Sequence, residues 1–169
     1  MVLLDDEKLR NGVIGGMLIT FGVVFKNTIE QLKLPPTHPL SILGMIFFIG
    51  GWAFEAYTLS MGRSTTNSKL MVIVPSVLIV AAVMAMKKLK GKIPANMFMI
   101  FPVIFALSWL ALGYNVEPNN FMGVIPAALV LISMMVALPW QRKSNVIDGP
   151  GMPLFVIAWF MIAYLNAKS

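Results

Sequence analysis

The sequence predicts an all-α polytopic membrane protein, with six transmembrane helices arranged as three pseudo-repeated helical hairpins. Three observations carry that prediction. The 169-residue chain is 58% hydrophobic and 12% charged, about half the charge with which a soluble domain covers its surface. Its apolar residues fall into six runs, most of them near the roughly 20 residues that cross a hydrocarbon core. A spaced aromatic pattern, F-x3-W-x4-Y, occurs three times.

The first run is about Leu9–Phe25. The segment ahead of it, MVLLDDEKLRNG, is acidic where a secretory signal is basic, and no small-residue cleavage site follows. The first span is therefore expected to be retained. The others are Pro39–Met61, Leu70–Met86, Ile93–Tyr114, Phe121–Trp140 and Gly151–Leu165. The first and last are short, so little tilt is expected of them. Short polar connections join the runs: Lys26–His38, Gly62–Lys69, Lys87–Lys92, Asn115–Asn120 and Gln141–Pro150. None holds a soluble domain, so 1–169 reads as a single transmembrane domain with hairpin repeats at about 9–61, 70–114 and 121–165.

The net charge of +6 reads as topology, not as nucleic-acid affinity. Lys26, Lys33, Lys87, Lys88, Lys90, Lys92, Arg142 and Lys143 fall on one side of the predicted bundle. Lys8, Arg10, Arg63, Lys69 and Lys168 fall on the other. The positive-inside rule places the first side in the cytoplasm and both termini outside. Lys87, Lys88, Lys90 and Lys92 are also candidate contacts for anionic lipid.

The repeat rests on rare residues. The only three tyrosines, Tyr57, Tyr114 and Tyr164, each follow a tryptophan by five positions: Trp52, Trp109 and Trp159. Each also follows a phenylalanine by nine: Phe48, Phe105 and Phe155. The tryptophans are 57 and then 50 residues apart, which is one two-helix hairpin. Hairpins return to the side they start from, so the pseudo-symmetry axis is expected along the membrane normal. Phe and Trp four apart share a helix face and read as packing groups, with tyrosine an anchor at the interface. The competing reading is an aromatic cage for a cation. Gly12, Gly15, Gly16 and Gly22 in the first run, and Ala81 and Ala85 in the third, offer small-residue faces for close helix packing. Pro75, Pro102, Pro126 and Pro153 stand at span starts or within spans, where they could break helices.

Glu55 departs from the repeat. It stands three residues after Trp52, where the other repeats have Leu112 and Ile162, so the hairpin does not require it. An ionisable group in a membrane helix is costly and marks a candidate site. Three readings stand: a protonated or hydrogen-bonded packing group, an interfacial acid paired with Arg63 or Lys69, or a proton or cation site. Other polar residues in the spans are sparse: Thr20, Ser76, Ser108 and Ser133. His38 reads as a loop residue. With no cysteine and a single histidine, no metal or cofactor is expected. No nucleophile elbow, zincin motif, P-loop or dinucleotide fingerprint is present. An enzyme is not expected.

The stretch HPLSILGMIFFIGGWAFEAYTLS, His38–Ser60, resembles segments of small, Met-rich, cysteine-poor multi-span membrane proteins of algal large DNA viruses. The matching pattern covers the second and sixth runs. The resemblance implies a protein of a virion's internal membrane whose loops contact capsid proteins, and it assigns no functional residue. The expected function is thus a non-enzymatic integral membrane protein with a structural or assembly role. Its expected partners are the lipid bilayer and a homo-oligomer or larger membrane or capsid assembly, with no nucleic acid. The alternative is a small proton or cation channel or transporter using Glu55.

Overall fold

A computed structural model describes residues 5–35, 37–117, 121–140 and 151–169, with residues 27, 31 and 134–140 by backbone alone. The described residues form helices and no strand. In chain order these are α1 (Asp6–Gln31), α2 (Pro39–Ser60), α3 (Thr66–Leu89), α4 (Ala95–Phe98), α5 (Ile100–Val116), α6 (Val124–Trp140) and α7 (Gly151–Lys168). A 3-10 turn, Phe121–Gly123, leads into α6.

Five helical segments are long and apolar enough to cross a membrane: Asp6–Glu30, Pro39–Ser60, Thr66–Leu89, Ala95–Val116 and Gly151–Lys168. The remaining expected span, α6, has 17 residues, roughly 25 Å of helix. The helices outrun the apolar runs because their polar ends are capped. Asp5 accepts from the N–H groups of Glu7 and Lys8, both at 3.1 Å, and Asp6 and Glu7 suit the positive end of α1. That turns the acidic leader into a helix start, and α1 is 26 residues long, not short. Thr65 caps α3 through the Ser68 N–H. His38 is more than a loop residue: its Nδ1 accepts from Leu40 N at 3.3 Å and caps α2, with Pro39 at the first helical position.

The prolines mostly begin helices. Pro102, Pro126 and Pro153 are each the third residue of their helix, where the N–H they lack has little to bond. Pro102 has a local effect. It cannot donate to the carbonyl four residues back, Phe98, and α4 ends there. Met99 keeps near-helical dihedrals (φ −62°, ψ −16°), so α4 and α5 form one interrupted helix. Of these four, Pro75 stands well inside a helix, and α3 continues through it.

Each of α1, α3 and α6 packs between two of α2, α5 and α7. Helix α1 lies against α2 and α7, α3 against α2 and α5, and α6 against α5 and α7. The ring closes where Asp5 N donates to Ala167 O at 2.9 Å. Small residues set the spacing at its tightest part. Gly16 of α1 stands against Trp159, Gly22 against the Phe48 backbone and Gly51 against Ile19. The alanine face expected in α3 does not point into the bundle. Ala81 is exposed and Ala85 half-buried, and Ala82 turns inward.

Candidate functional site

The inner face of the bundle is built on three tryptophans. Trp52, Trp109 and Trp159 come from α2, α5 and α7, and each is in contact with the other two. Their ring centroids are 5.4, 5.3 and 5.4 Å apart, with interplanar angles of 67°, 71° and 65°. Such edge-to-face pairs are a favoured aromatic geometry. The indoles are 3%, 1% and 3% exposed. Phe105 and Phe155 pack edge-on against the tryptophans four residues later, at 6.3 and 6.1 Å. Phe48 packs on the same core. Tyr57, Tyr114 and Tyr164 are 60%, 47% and 49% exposed. They stand on the outer surface, as interfacial anchors do and as a cage around one cation does not.

Counting outward from each tryptophan gives two further buried layers. Three residues on are Glu55, Leu112 and Ile162, all fully buried. Seven residues on are Leu59, Val116 and Asn166, also buried. Each layer is aliphatic at two positions and polar at one. The two polar residues come from α2 and α7, which both pack on α1. Asn166 Nδ2 donates to the Thr58 carbonyl at 3.4 Å, and Thr58 is one turn beyond Glu55.

Glycines make room for the Glu55 carboxyl group. A Cβ at Gly15 would collide with Oε2, and one at Gly12 would stand 3.9 Å from Oε1 and 2.9 Å from the Ala163 Cβ. Among the described residues no donor reaches either carboxyl oxygen. Two expectations fail here. Arg63 does not pair with Glu55, because its Nε donates to Leu59 O at 2.7 Å and its Nη2 to Asn115 O at 2.8 Å. Lys69 is exposed at the start of α3. Nor does a neighbouring hydroxyl serve Glu55. Thr20, Thr58, Ser76 and Ser133 each return their hydroxyl to a carbonyl of their own helix, at 2.7–3.0 Å. A charged carboxylate without a partner is costly in such a place.

Above these layers the ends of α2, α5 and α7 and the start of α1 surround an open cavity of about 400 Å³. Lys8, Met61, Gly62, Arg63, Val116, Glu117, Asn166, Lys168 and Ser169 line it. Lys168 pairs with Glu117 at 3.8 Å. The cations sit where helix C-termini carry partial negative charge, and burial lowers the Arg63 pKa from its ordinary value. At the other end of the bundle Lys87, Lys88, Lys90 and Lys92 are exposed, with Lys26 near enough to feel Lys87 and Lys90. Arg142 and Lys143 lie outside the described residues.

No group of three or more His, Cys, Asp or Glu that could hold a metal occurs among the described residues. A comparison with family models, curated proteins and solved structures finds no match to this chain. The fold defines the class: an all-helical chain, consistent with a multi-pass membrane protein, with several helices long and apolar enough to span a bilayer.

Proposed function

We propose that the chain is a non-enzymatic integral membrane protein with a structural or assembly role. In this reading three hairpins, residues 9–61, 70–114 and 121–165, surround a pseudo-threefold axis along the membrane normal. The observation that carries it is the tryptophan triad. Three indoles in mutual contact, each nearly inaccessible, fill the axis where a conduit would run. The outward faces are apolar and suit lipid. The resemblance of His38–Ser60 extends the proposal to a virion's internal membrane, with the loops toward a capsid. Cross-linking through loop lysines in the native membrane tests the assembly role. Adducts to a second copy or to a coat protein are expected, and a protein that stays monomeric and uncross-linked removes it.

A second reading rests on one observation, the fully buried Glu55 carboxyl group with no partner among the described residues. Here Glu55 binds a proton or cation, and the protein is a small channel or transporter. Proton and potassium flux into liposomes decides between the two. The structural reading expects no flux above that of protein-free vesicles. Flux that Glu55→Gln abolishes replaces it with the second.

A further inference from the structure

We infer that Glu55 is a proton site reached from one face only, through the cavity at the ends of α2, α5 and α7 and past Asn166 and Thr58. This rests on the reading of Glu55 as a proton site and adds its route, its sidedness and its gate.

Four observations carry the inference. The two polar interruptions of the apolar layers, Glu55 and Asn166, are both fully buried, and Asn166 reaches the α2 backbone one turn beyond Glu55. Asn166 is buried among the helices and also lines the cavity, so it is the floor of the cavity on that side. Its side chain is tied to the Thr58 carbonyl at 3.4 Å, a long bond that opens without a large loss. Along α2, Glu55 and Thr58 lie near one face, and Gly62, two residues past the helix, lines the cavity with Lys8 of α1 beside it. By helix rise the cavity floor at Met61 is about 9 Å above Glu55, a gap that one or two water molecules span.

The opposite direction offers no such path. Below Glu55 the triad Trp52, Trp109 and Trp159 closes the axis, and Gly16 brings α1 against Trp159. Gly12 and Gly15 of α1 stand against the Glu55 carboxyl group, and Ala163 of α7 packs on Gly12. None of them is charged, so a proton arriving at Glu55 meets no competing acid or base at that level. Lys8, Arg63, Glu117 and Lys168 are held at the mouth.

The chain contains no cysteine, so Glu55→Cys introduces a single thiol for silver ion, a small permeant probe. The full-length protein is reconstituted in vesicles sorted by the orientation of a C-terminal tag. Silver added at the cavity face is expected to block the thiol faster than silver at the other face by about tenfold or more. Asn166→Leu in the same background is expected to slow the cavity-side reaction by a similar factor. Reaction as fast from the opposite face, or a rate indifferent to Asn166→Leu, overturns the route and leaves Glu55 a reachable site. No reaction from either face overturns the proton-site reading as well. A measurement without the thiol guards against a misfolded variant. The infrared carboxyl band that Glu55→Gln removes should shift in D2O, and Asn166→Leu should slow that shift. A band that exchanges at an unchanged rate overturns the route.

Discussion

Gly15 of α1 stands so close to the carboxyl group of Glu55 on α2 that a Cβ there would force the acid to move. The pair joins sequence to site. The glycine gives up helix propensity, and the space it leaves is taken by the one fully buried acid among the described residues.

Gly15→Ala is therefore expected to destabilise the fold by about 1–3 kcal/mol, as overpacking of a filled interior does. Shortening the acid should return part of the loss. In thermal unfolding of the purified protein, Gly15→Ala combined with Glu55→Ala is expected to be more stable than the two single effects summed predict. A strictly additive pair would show that the two side chains do not share the niche.

The three central tryptophans make equivalent contacts, with centroid distances that differ by only 0.1 Å. Trp52→Ala, Trp109→Ala and Trp159→Ala are each expected to cost about 3–5 kcal/mol, with similar values for all three. Denaturant unfolding followed by circular dichroism reads this. One tryptophan whose loss is nearly neutral would contradict a shared central role.

The aromatic spacing was legible because it rests on rare residues, and the structure brings Trp52, Trp109 and Trp159 together. The acid at Glu55 was legible as an interruption of that spacing. Asn166 was not. The last apolar run ends at Leu165, yet α7 continues to Lys168, and the polar residue one step past the run is buried by its neighbours. Counting seven from Trp159, as Leu59 is seven from Trp52, would have found it. The niche was hidden for another reason. Gly12 and Gly16 have the spacing of a packing motif, but which glycine meets Glu55 depends on the register between α1 and α2. Spacing also misled at Ala81 and Ala85, since a small-residue stripe does not say which way it faces. The prolines were read only in part: Pro126 and Pro153 fall in first turns, where proline is tolerated, whereas Pro102 interrupts the helix between α4 and α5.

Arg63 ties two helix ends together, donating to Leu59 O of α2 and Asn115 O of α5. Arg63→Ala is expected to cost about 1.5–3 kcal/mol, the range for hydrogen bonds to a charged group, toward the low end because the side chain is only partly buried. Arg63→Lys should recover little, because an ammonium cannot present the planar fork that reaches both carbonyls. Burial lowers the guanidinium pKa, so by linkage its desolvation cost is present while the group is charged and would be relieved, not increased, as pH rises through the shifted value. Arginine nonetheless stays protonated in proteins. The cost of Arg63→Ala, read as a shift in melting temperature, should therefore be flat across neutral pH, and a cost that disappears within that range would contradict the assignment.

At the opposite end, Lys87, Lys88, Lys90 and Lys92 are all exposed and cluster where α3 leaves the bundle. A lysine near an anionic membrane surface contributes about 1 kcal/mol, and salt screens it over about 10 Å at 0.1 M. The protein is accordingly expected to retain anionic over zwitterionic lipid at low salt and to lose that preference as salt rises. Replacing all four lysines by glutamine should remove the preference and its salt dependence together. Native mass spectrometry of lipids bound after exchange from mixed micelles measures both. A preference that survives the fourfold substitution would mean that anionic lipid is held elsewhere, and these lysines would remain a charge bias that orients the chain.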